Sequence, residues 1–133
     1  MFKDMIKKMR VLINDKENDA DGNQELIFCT LSCLANATFY EKQGIKNDIE
    51  YKKTKFELVK TVAFFAMQTK FEDICCEALR VISNLSRDKE LVKLIIDVQL
   101  AEALVLLMES NSLEIVYYVL GALINLINNE EIK

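Results

Sequence analysis

One amphipathic helical stretch occurs three times in this chain, and this internal repeat constrains the fold more than any other feature. The central copy, at 73–88, reads DICCEALRVISNLSRD, and its apolar residues recur every three or four positions. If Asn84 is taken as the reference, Asn36 and Asn125 occupy the equivalent places in the other two copies. These asparagines are 48 and 41 residues apart, which is the spacing of helical repeats that stack side by side.

The three copies also agree at positions other than the asparagine. The residue five before it is a leucine in every copy, and the residue eleven before it is an acid. The leucines are Leu31, Leu79 and Leu120, and the acids are Glu25, Asp73 and Glu114. Agreement at apolar, acidic and amide positions predicts a repeated structural unit rather than three unrelated amphipathic helices.

The composition favours an all-α fold. The 133 residues include no proline and only three glycines, and 51% of them are hydrophobic, so the chain lacks the turn signals of an all-β protein. We predict a single all-α domain over 1–133, divided into a partial unit at 1–43 and units at 44–87 and 88–129. Both ends lack the polar outer face of a terminal cap, so we expect neighbouring repeats or subunits to cover them.

Local signals predict the helix boundaries. An amphipathic helix at 2–13 and an acidic loop at 15–23 precede a long helix at 24–43, with Gly44 as its stop. In the second unit, capping-box pairs predict the starts of a short, a medium and a long helix: Asn47 with Glu50, Thr54 with Glu57, and Thr69 with Glu72.

The third unit is predicted to repeat the same order of helices. Asp88 caps a short helix, a medium helix follows at 100–110, and Asn111 with Glu114 caps the last long helix, which ends near Asn128. Each unit is therefore expected to hold three helices, of which the first is short.

Two segments resemble the third helix of armadillo repeats: ALRVISNLS at 78–86 and VLGALINLI at 119–127. The shared pattern is a small residue, a leucine, further apolar residues and then Asn-Leu, and the similarity covers nearly the whole chain. The resemblance implies an armadillo-type α-solenoid, a right-handed superhelix whose long helices line a concave groove. Within the superfamily the chain is most similar to a ciliary family, which implies an adaptor role in the cytoplasm or in axonemal, radial-spoke assembly.

The helical period places the residues eleven, seven and four before each asparagine on the same face as the asparagine. An amide on that face can donate to and accept from the backbone of an extended peptide, and tyrosines can supply anchors. We therefore predict that a protein partner, either an extended peptide or a helix, binds there. The predicted groove residues are Ser32, Asn36, Tyr40, Glu77, Arg80, Asn84, Tyr118 and Asn125.

An alternative role remains open for the asparagines. In that alternative, each amide bonds to the backbone of the adjacent unit and holds one repeat on the next. If the groove role is correct, replacing Asn84 and Arg80 together by alanine should weaken partner binding and leave thermal stability nearly unchanged.

Several function classes are disfavoured by residues that the chain lacks. It has no histidine for acid-base work, no glycine-rich phosphate loop and no zinc-like cysteine spacing, so we expect a non-enzymatic protein without cofactor, metal or small-molecule substrate. The net charge of −4 argues against nucleic acid, and no apolar run is long enough to span a membrane.

Two other functions remain as alternatives to a binding module of this kind. One is a structural spacer whose groove stays empty, and the other is a peptide receptor like the importins and catenins. Importins carry a groove tryptophan four residues before the asparagine, where this chain has Ser32, Arg80 and Gly121 and no tryptophan anywhere. The importin-like role is therefore the weaker of the two.

Overall fold

The computed structural model describes residues 20–40, 49–67 and 70–128, together with positions 4, 7, 8 and 11. The described residues are predominantly α-helical and include no β-strand, which confirms the predicted all-α class. None of these helices is both long enough and apolar enough to cross a membrane. The helices are α1 (Ala20–Tyr40), α2 (Ile49–Ala66), α3 (Glu72–Leu85), α4 (Lys89–Asp97), α5 (Leu100–Leu107) and α6 (Leu113–Ile127).

Helix α3 lies at the centre of the fold and packs against three others. It contacts both other long helices, α1 and α6, and it also contacts α2. Helix α2 packs in addition against α4, and α5 packs against both α4 and α6. The apolar stripe predicted for the central stretch is at most 4% exposed at every position: Ile74, Ala78, Val81, Ile82 and Leu85. Burial of this stripe on several sides makes α3 the main contributor to the core.

Helix α2 differs from the prediction because it is one continuous helix. The expected break before Thr54 is absent, and the helix runs from Ile49 through Thr54 to Ala66. The side chain of Lys55, next to Thr54, is buried, and its Nζ lies 3.5 Å from Asp88 Oδ2 at the start of α4, so a tertiary ion pair joins this turn to α4. Phe56 on the same helix is 37% exposed.

The predicted helix caps are right in one case and displaced in two. Asp88 caps α4 as expected, since its carboxylate accepts a hydrogen bond of 3.0 Å from the Glu90 N–H. The N-cap of α6 is Ser112 rather than Asn111, and the Ser112 hydroxyl accepts from the Ile115 N–H at 3.4 Å. Helix α3 follows Phe71, which makes no side-chain cap, so the predicted cap at Thr69 is wrong. Serine and asparagine cap about equally well, so packing decides between neighbouring candidates.

The remaining boundaries depart from the prediction by a few residues. Helix α1 begins at Ala20, inside the stretch predicted as a loop. Helix α5 ends at Leu107, three residues before the predicted end, and it follows Gln99, which takes the left-handed conformation with φ 60°. The Asn47–Glu50 pair, Gly44 and most of the predicted helix at 2–13 lie outside the described residues.

The four cysteines fall into two environments. Cys29 and Cys33 are exposed, Cys75 and Cys76 are buried, and all four are free thiols. Burial raises the pKa of Cys75 to about 11, and the Glu72 carboxylate adds to the shift. Burial also raises the pKa of Cys76 to about 12, with a further contribution from Glu114.

The different environments predict stepwise labelling of the thiols. A disulfide reagent at pH 8 should modify Cys29 and Cys33 in the folded protein, whereas Cys75 and Cys76 should react only after unfolding. At that pH a thiol of pKa about 11 is ionised in only about a thousandth of molecules, and only the thiolate attacks. Mass spectrometry with and without denaturant measures this difference. Rapid labelling of all four thiols in the folded protein would contradict the burial of α3.

Candidate protein-binding groove

The predicted groove row is accessible to solvent on all three long helices. None of its twelve positions is buried, and they include every groove residue predicted from the sequence except Tyr40, which is itself exposed. The row consists of Glu25, Cys29, Ser32 and Asn36 on α1, of Asp73, Glu77, Arg80 and Asn84 on α3, and of Glu114, Tyr118, Gly121 and Asn125 on α6. The helical period therefore predicted the accessible face correctly.

The amide of Asn84 joins α3 to α1. Its Nδ2 donates one hydrogen bond of 2.8 Å to the carbonyl of Ala35 and one of 3.1 Å to the hydroxyl of Thr38. The Thr38 hydroxyl in turn donates to the carbonyl of Leu34 at 2.7 Å, within its own helix. Both hydrogens of the Asn84 amide are thus used between helices.

Asn125 makes the same pair of contacts one helix further along. Its Nδ2 donates to the carbonyl of Ser83 at 3.1 Å and to the hydroxyl of Ser86 at 3.0 Å. In both cases the two acceptors stand one residue before and two residues after the asparagine of the preceding long helix. The packing of α6 on α3 therefore repeats, in register, the packing of α3 on α1.

These hydrogen bonds change what the asparagines can offer a ligand. The donor side of Asn84 and Asn125 is occupied by the neighbouring helix, while their Oδ1 atoms have no partner among the described residues. Both side chains remain half-buried, so these two amides can accept a hydrogen bond from a bound peptide but have no free donor. We accordingly expect replacement of Asn84 and Arg80 together by alanine to lower the thermal stability rather than to leave it nearly unchanged.

Arg80 links two of the predicted groove residues. Its guanidinium makes an ion pair and hydrogen bond with the carboxylate of Glu77, and its Nη2 donates to Asn36 Oδ1 at 3.2 Å. The hydrogen bond from Arg80 to Glu77 is the main cause of a raised Arg80 pKa. Arg80 is therefore a fixed positive charge that spans from α3 to α1.

Aromatic side chains line the cleft between the long helices. The cleft has a volume of about 750 Å³ and includes five of the predicted groove residues: Asn36, Tyr40, Arg80, Asn84 and Tyr118. Ser32, Glu77 and Asn125 do not line it. Phe39 packs edge-on against Tyr40 with ring centroids 5.1 Å apart, and Tyr117 packs in the same way against Tyr118 at 5.2 Å. Two aromatic pairs thus face one opening.

The phenol of Tyr118 lies next to the charged groups of the cleft. Its pKa is raised mainly by burial, while the Arg80 guanidinium opposes the shift and the carboxylates of Glu77 and Glu114 add to it. The phenol is consequently protonated at neutral pH and can donate a hydrogen bond into the cleft.

Arg87 also joins α1 to α3, and the sequence analysis did not identify it. Its Nη2 donates to the carbonyls of Thr38 and Phe39 at 3.4 and 3.3 Å, and its guanidinium lies 5.5 Å from the centroid of the Phe39 ring. A cation is favourable at these carbonyls because they form the negative end of the α1 dipole. For the asparagine contacts, in contrast, the sequence carries one signal. A residue with a hydroxyl group follows the asparagine by two positions in two of the three copies, as Thr38 and Ser86.

The chemistry of the cleft suits binding through aromatic, amide and guanidinium groups. Within the described part of the chain, no group of three or more metal-ligating side chains comes together.

In comparisons with known proteins, no family model and no curated protein matched this chain.

Proposed function

We propose that this chain is a protein-interaction module built from armadillo-type helical repeats, a right-handed solenoid whose cleft binds a segment of a partner protein. The observation that carries the proposal is the open cleft of about 750 Å³ on which Tyr40, Tyr118, Arg80 and Asn84 converge. Tyrosine and arginine are the residue types that dominate binding energy at protein interfaces. The repeated register of the asparagine contacts supports the repeat architecture.

The hydrogen-bonding groups of the cleft indicate the conformation of the bound segment. Among the described residues, the Asn84 carbonyl oxygen and the Asn36 amide NH₂ group have no partner, and Tyr118 presents a phenol. A strand that exposes alternating N–H and C=O groups satisfies acceptors and donors of this kind together. We therefore favour an extended segment over a helical one as the ligand of the cleft.

The proposed biological role rests on a resemblance seen in the sequence alone. LANATFYEKQ, EALRVISNLSRDKE and VYYVLGALINLI resemble repeats of armadillo repeat-containing protein 2, a ciliary protein, and we base the proposed setting on that resemblance. The proposed role is a non-enzymatic adaptor, without cofactor, in ciliary or axonemal assembly. A full-length tagged protein used for proximity labelling in ciliated cells should mark axonemal components, and labelling confined to other compartments would exclude this setting.

Binding by the cleft can be tested without knowing the partner. Peptides are selected from a random display library on the folded chain, and their affinities are measured by fluorescence anisotropy. Replacing Tyr40 by alanine should weaken the selected peptides at least about tenfold, because Tyr40 is 79% exposed and lines the cleft.

The matched control is Phe64→Ala on α2, an exposed aromatic outside the cleft, which should leave the affinity unchanged. If the two variants weakened binding equally, the peptides would not occupy the cleft.

A spacer function is the second candidate, and the exposed apolar side chains of α6 favour it. Leu113, Leu120 and Ile127 are all accessible to solvent on this helix. A spacer stacks on its neighbours through such an end and leaves the cleft empty. Light scattering separates the two functions, because a spacer associates as concentration rises, whereas a monomer that binds the selected peptides is a binding module.

A further inference from the structure

Helix α6 carries an unpartnered apolar stripe along one side. Leu113, Tyr117, Leu120, Ile124 and Ile127 follow the helical spacing of four, three, four and three residues, and their exposures range from 42% to 86%. We call these five residues the α6 stripe. Its Cα positions extend over about 21 Å, at about 1.5 Å per residue.

Two positions of the stripe have equivalents on both other long helices that are covered by a helix. Relative to the reference asparagine, Leu120 and Ile127 correspond to Leu31 and Thr38 on α1, which are at most 3% exposed beneath α3. On α3 the equivalents, Leu79 and Ser86, are as deeply buried, and α6 packs on this helix. At these two positions, α6 is therefore the one long helix that no other helix covers in the described structure. On both α1 and α3, the element that covers them is a helix.

The stripe differs chemically from the two covered faces. Ile124 stands where α1 has Ala35, and Ile127 stands where the other helices have the hydroxyls of Thr38 and Ser86. Those hydroxyls accept the second amide hydrogen of the incoming asparagine. A further helix of the same repeat type would find no hydroxyl at position 127 of α6 and would meet a bulkier surface. The stripe therefore fits a helix that presents apolar side chains in place of the asparagine.

The charge of the part of the chain that carries the stripe indicates which residues should flank the apolar face of that helix. From residue 94 to residue 128 the chain has four acids, Asp97, Glu102, Glu109 and Glu114, and no lysine or arginine. All four acids are exposed. Complementary charge steers association and rejects partners of like charge, so a helix with lysine or arginine beside its apolar residues is favoured. The same acids disfavour an anionic lipid surface.

We infer that the α6 stripe binds a basic amphipathic α-helix of a partner protein. The apolar side chains of that helix cover the stripe, and its lysines and arginines complement the acidic charge of residues 94–128. This surface is additional to the cleft, and either can be correct without the other, although Tyr117, Leu120 and Ile124 also border the cleft.

The test uses two synthetic helical peptides of about 18 residues, or five turns. Both carry leucines at helical spacing, and their remaining positions are lysine in one peptide and glutamate in the other. Binding to the full chain is measured by fluorescence anisotropy at low and high salt. We expect the lysine peptide to bind at least about tenfold more tightly than the glutamate peptide, with the difference reduced at high salt because screening weakens the charge contribution.

Matched variants locate the binding surface. Replacing Leu113 and Ile127 together by glutamine should weaken the lysine peptide at least about fivefold through lost apolar contact. Both side chains are exposed and neither lines the cleft, so the fold and the cleft are preserved. Phe64→Gln on α2 and Tyr40→Ala in the cleft should leave this affinity unchanged, which separates the stripe from the function proposed for the cleft.

Three results would overturn the inference. Equal affinity for the two peptides would show that charge does not select the partner. An unchanged affinity in the Leu113 and Ile127 double variant would place binding elsewhere. Dimerisation of the chain that this double variant abolishes, and that the lysine peptide fails to compete with, would assign the stripe to a second copy of the chain.

Discussion

Replacing Leu79 by alanine is expected to lower the free energy of unfolding by about 3 kcal/mol, the usual cost of truncating a fully buried leucine. Leu79 has no exposed surface and lies on the central helix α3, which contacts α1, α2 and α6. Neighbours on several sides limit how far the structure can relax into the cavity, so the cost should not fall to the low end of the range. Urea denaturation followed by circular dichroism measures the change.

The same substitution at Leu120 is the matched control. Leu120 has the equivalent position on α6 and is 42% exposed, so Leu120→Ala should cost less than about 1 kcal/mol. The difference between the two variants reports whether a helix covers the position. Equal losses would mean that the α6 stripe is covered in solution, and both the spacer function and the proposed helix-binding surface would then have to be reconsidered.

Replacing Asn84 by aspartate is expected to destabilise the fold by about 2 kcal/mol, although the two side chains have nearly the same shape. The substitution removes both N–H donors and places a carboxylate oxygen within hydrogen-bond distance of the Ala35 carbonyl and the Thr38 hydroxyl. The carboxylate then repels the Ala35 carbonyl oxygen, and it competes with the Leu34 carbonyl for the proton of the Thr38 hydroxyl. Because position 84 is half-buried, water can solvate the new carboxylate only in part.

The control is Asn36→Asp, which should change stability by less than about 0.5 kcal/mol, as for most exposed ion pairs. The Asn36 side chain is exposed, and its Oδ1 already accepts a hydrogen bond from Arg80, so a carboxylate preserves that contact. Thermal unfolding of both variants at neutral pH measures the difference. A larger loss from Asn36→Asp than from Asn84→Asp would contradict the proposed role of the amide donors between helices.

The cleft could be predicted in part from the sequence. The helical period placed Asn36, Arg80, Asn84 and Tyr118 on one accessible face, and the structure brings them together with Tyr40 around one opening. That prediction needed only the angle between successive residues of a helix. Ser32, Glu77 and Asn125 do not line the cleft because membership also depends on the curvature and spacing of the three helices.

The hydrogen bonds of the asparagines could not be derived in the same way. Holding one repeat on the next was an open alternative for them, and the described contacts support it for Asn84 and Asn125. Their acceptors lie 39 to 49 residues away in sequence, as does the carbonyl that Arg87 reaches on α1. Partners at such separations are fixed by how the helices stack, which no local pattern encodes.

By itself, the sequence determined the all-α class, the apolar stripe of α3, the register that relates the three long helices and the Asp88 cap. Each of these depends on residues within a few turns of one another, where helix geometry is fixed. Only the tertiary structure decided that α2 is continuous past Thr54, that the amides of Asn84 and Asn125 turn their donors toward a neighbouring helix, and that the α6 stripe is uncovered. These features depend on which surfaces of distant helices meet, and the free energy of that packing outweighs local preferences of a few tenths of a kcal/mol, such as the choice between neighbouring caps.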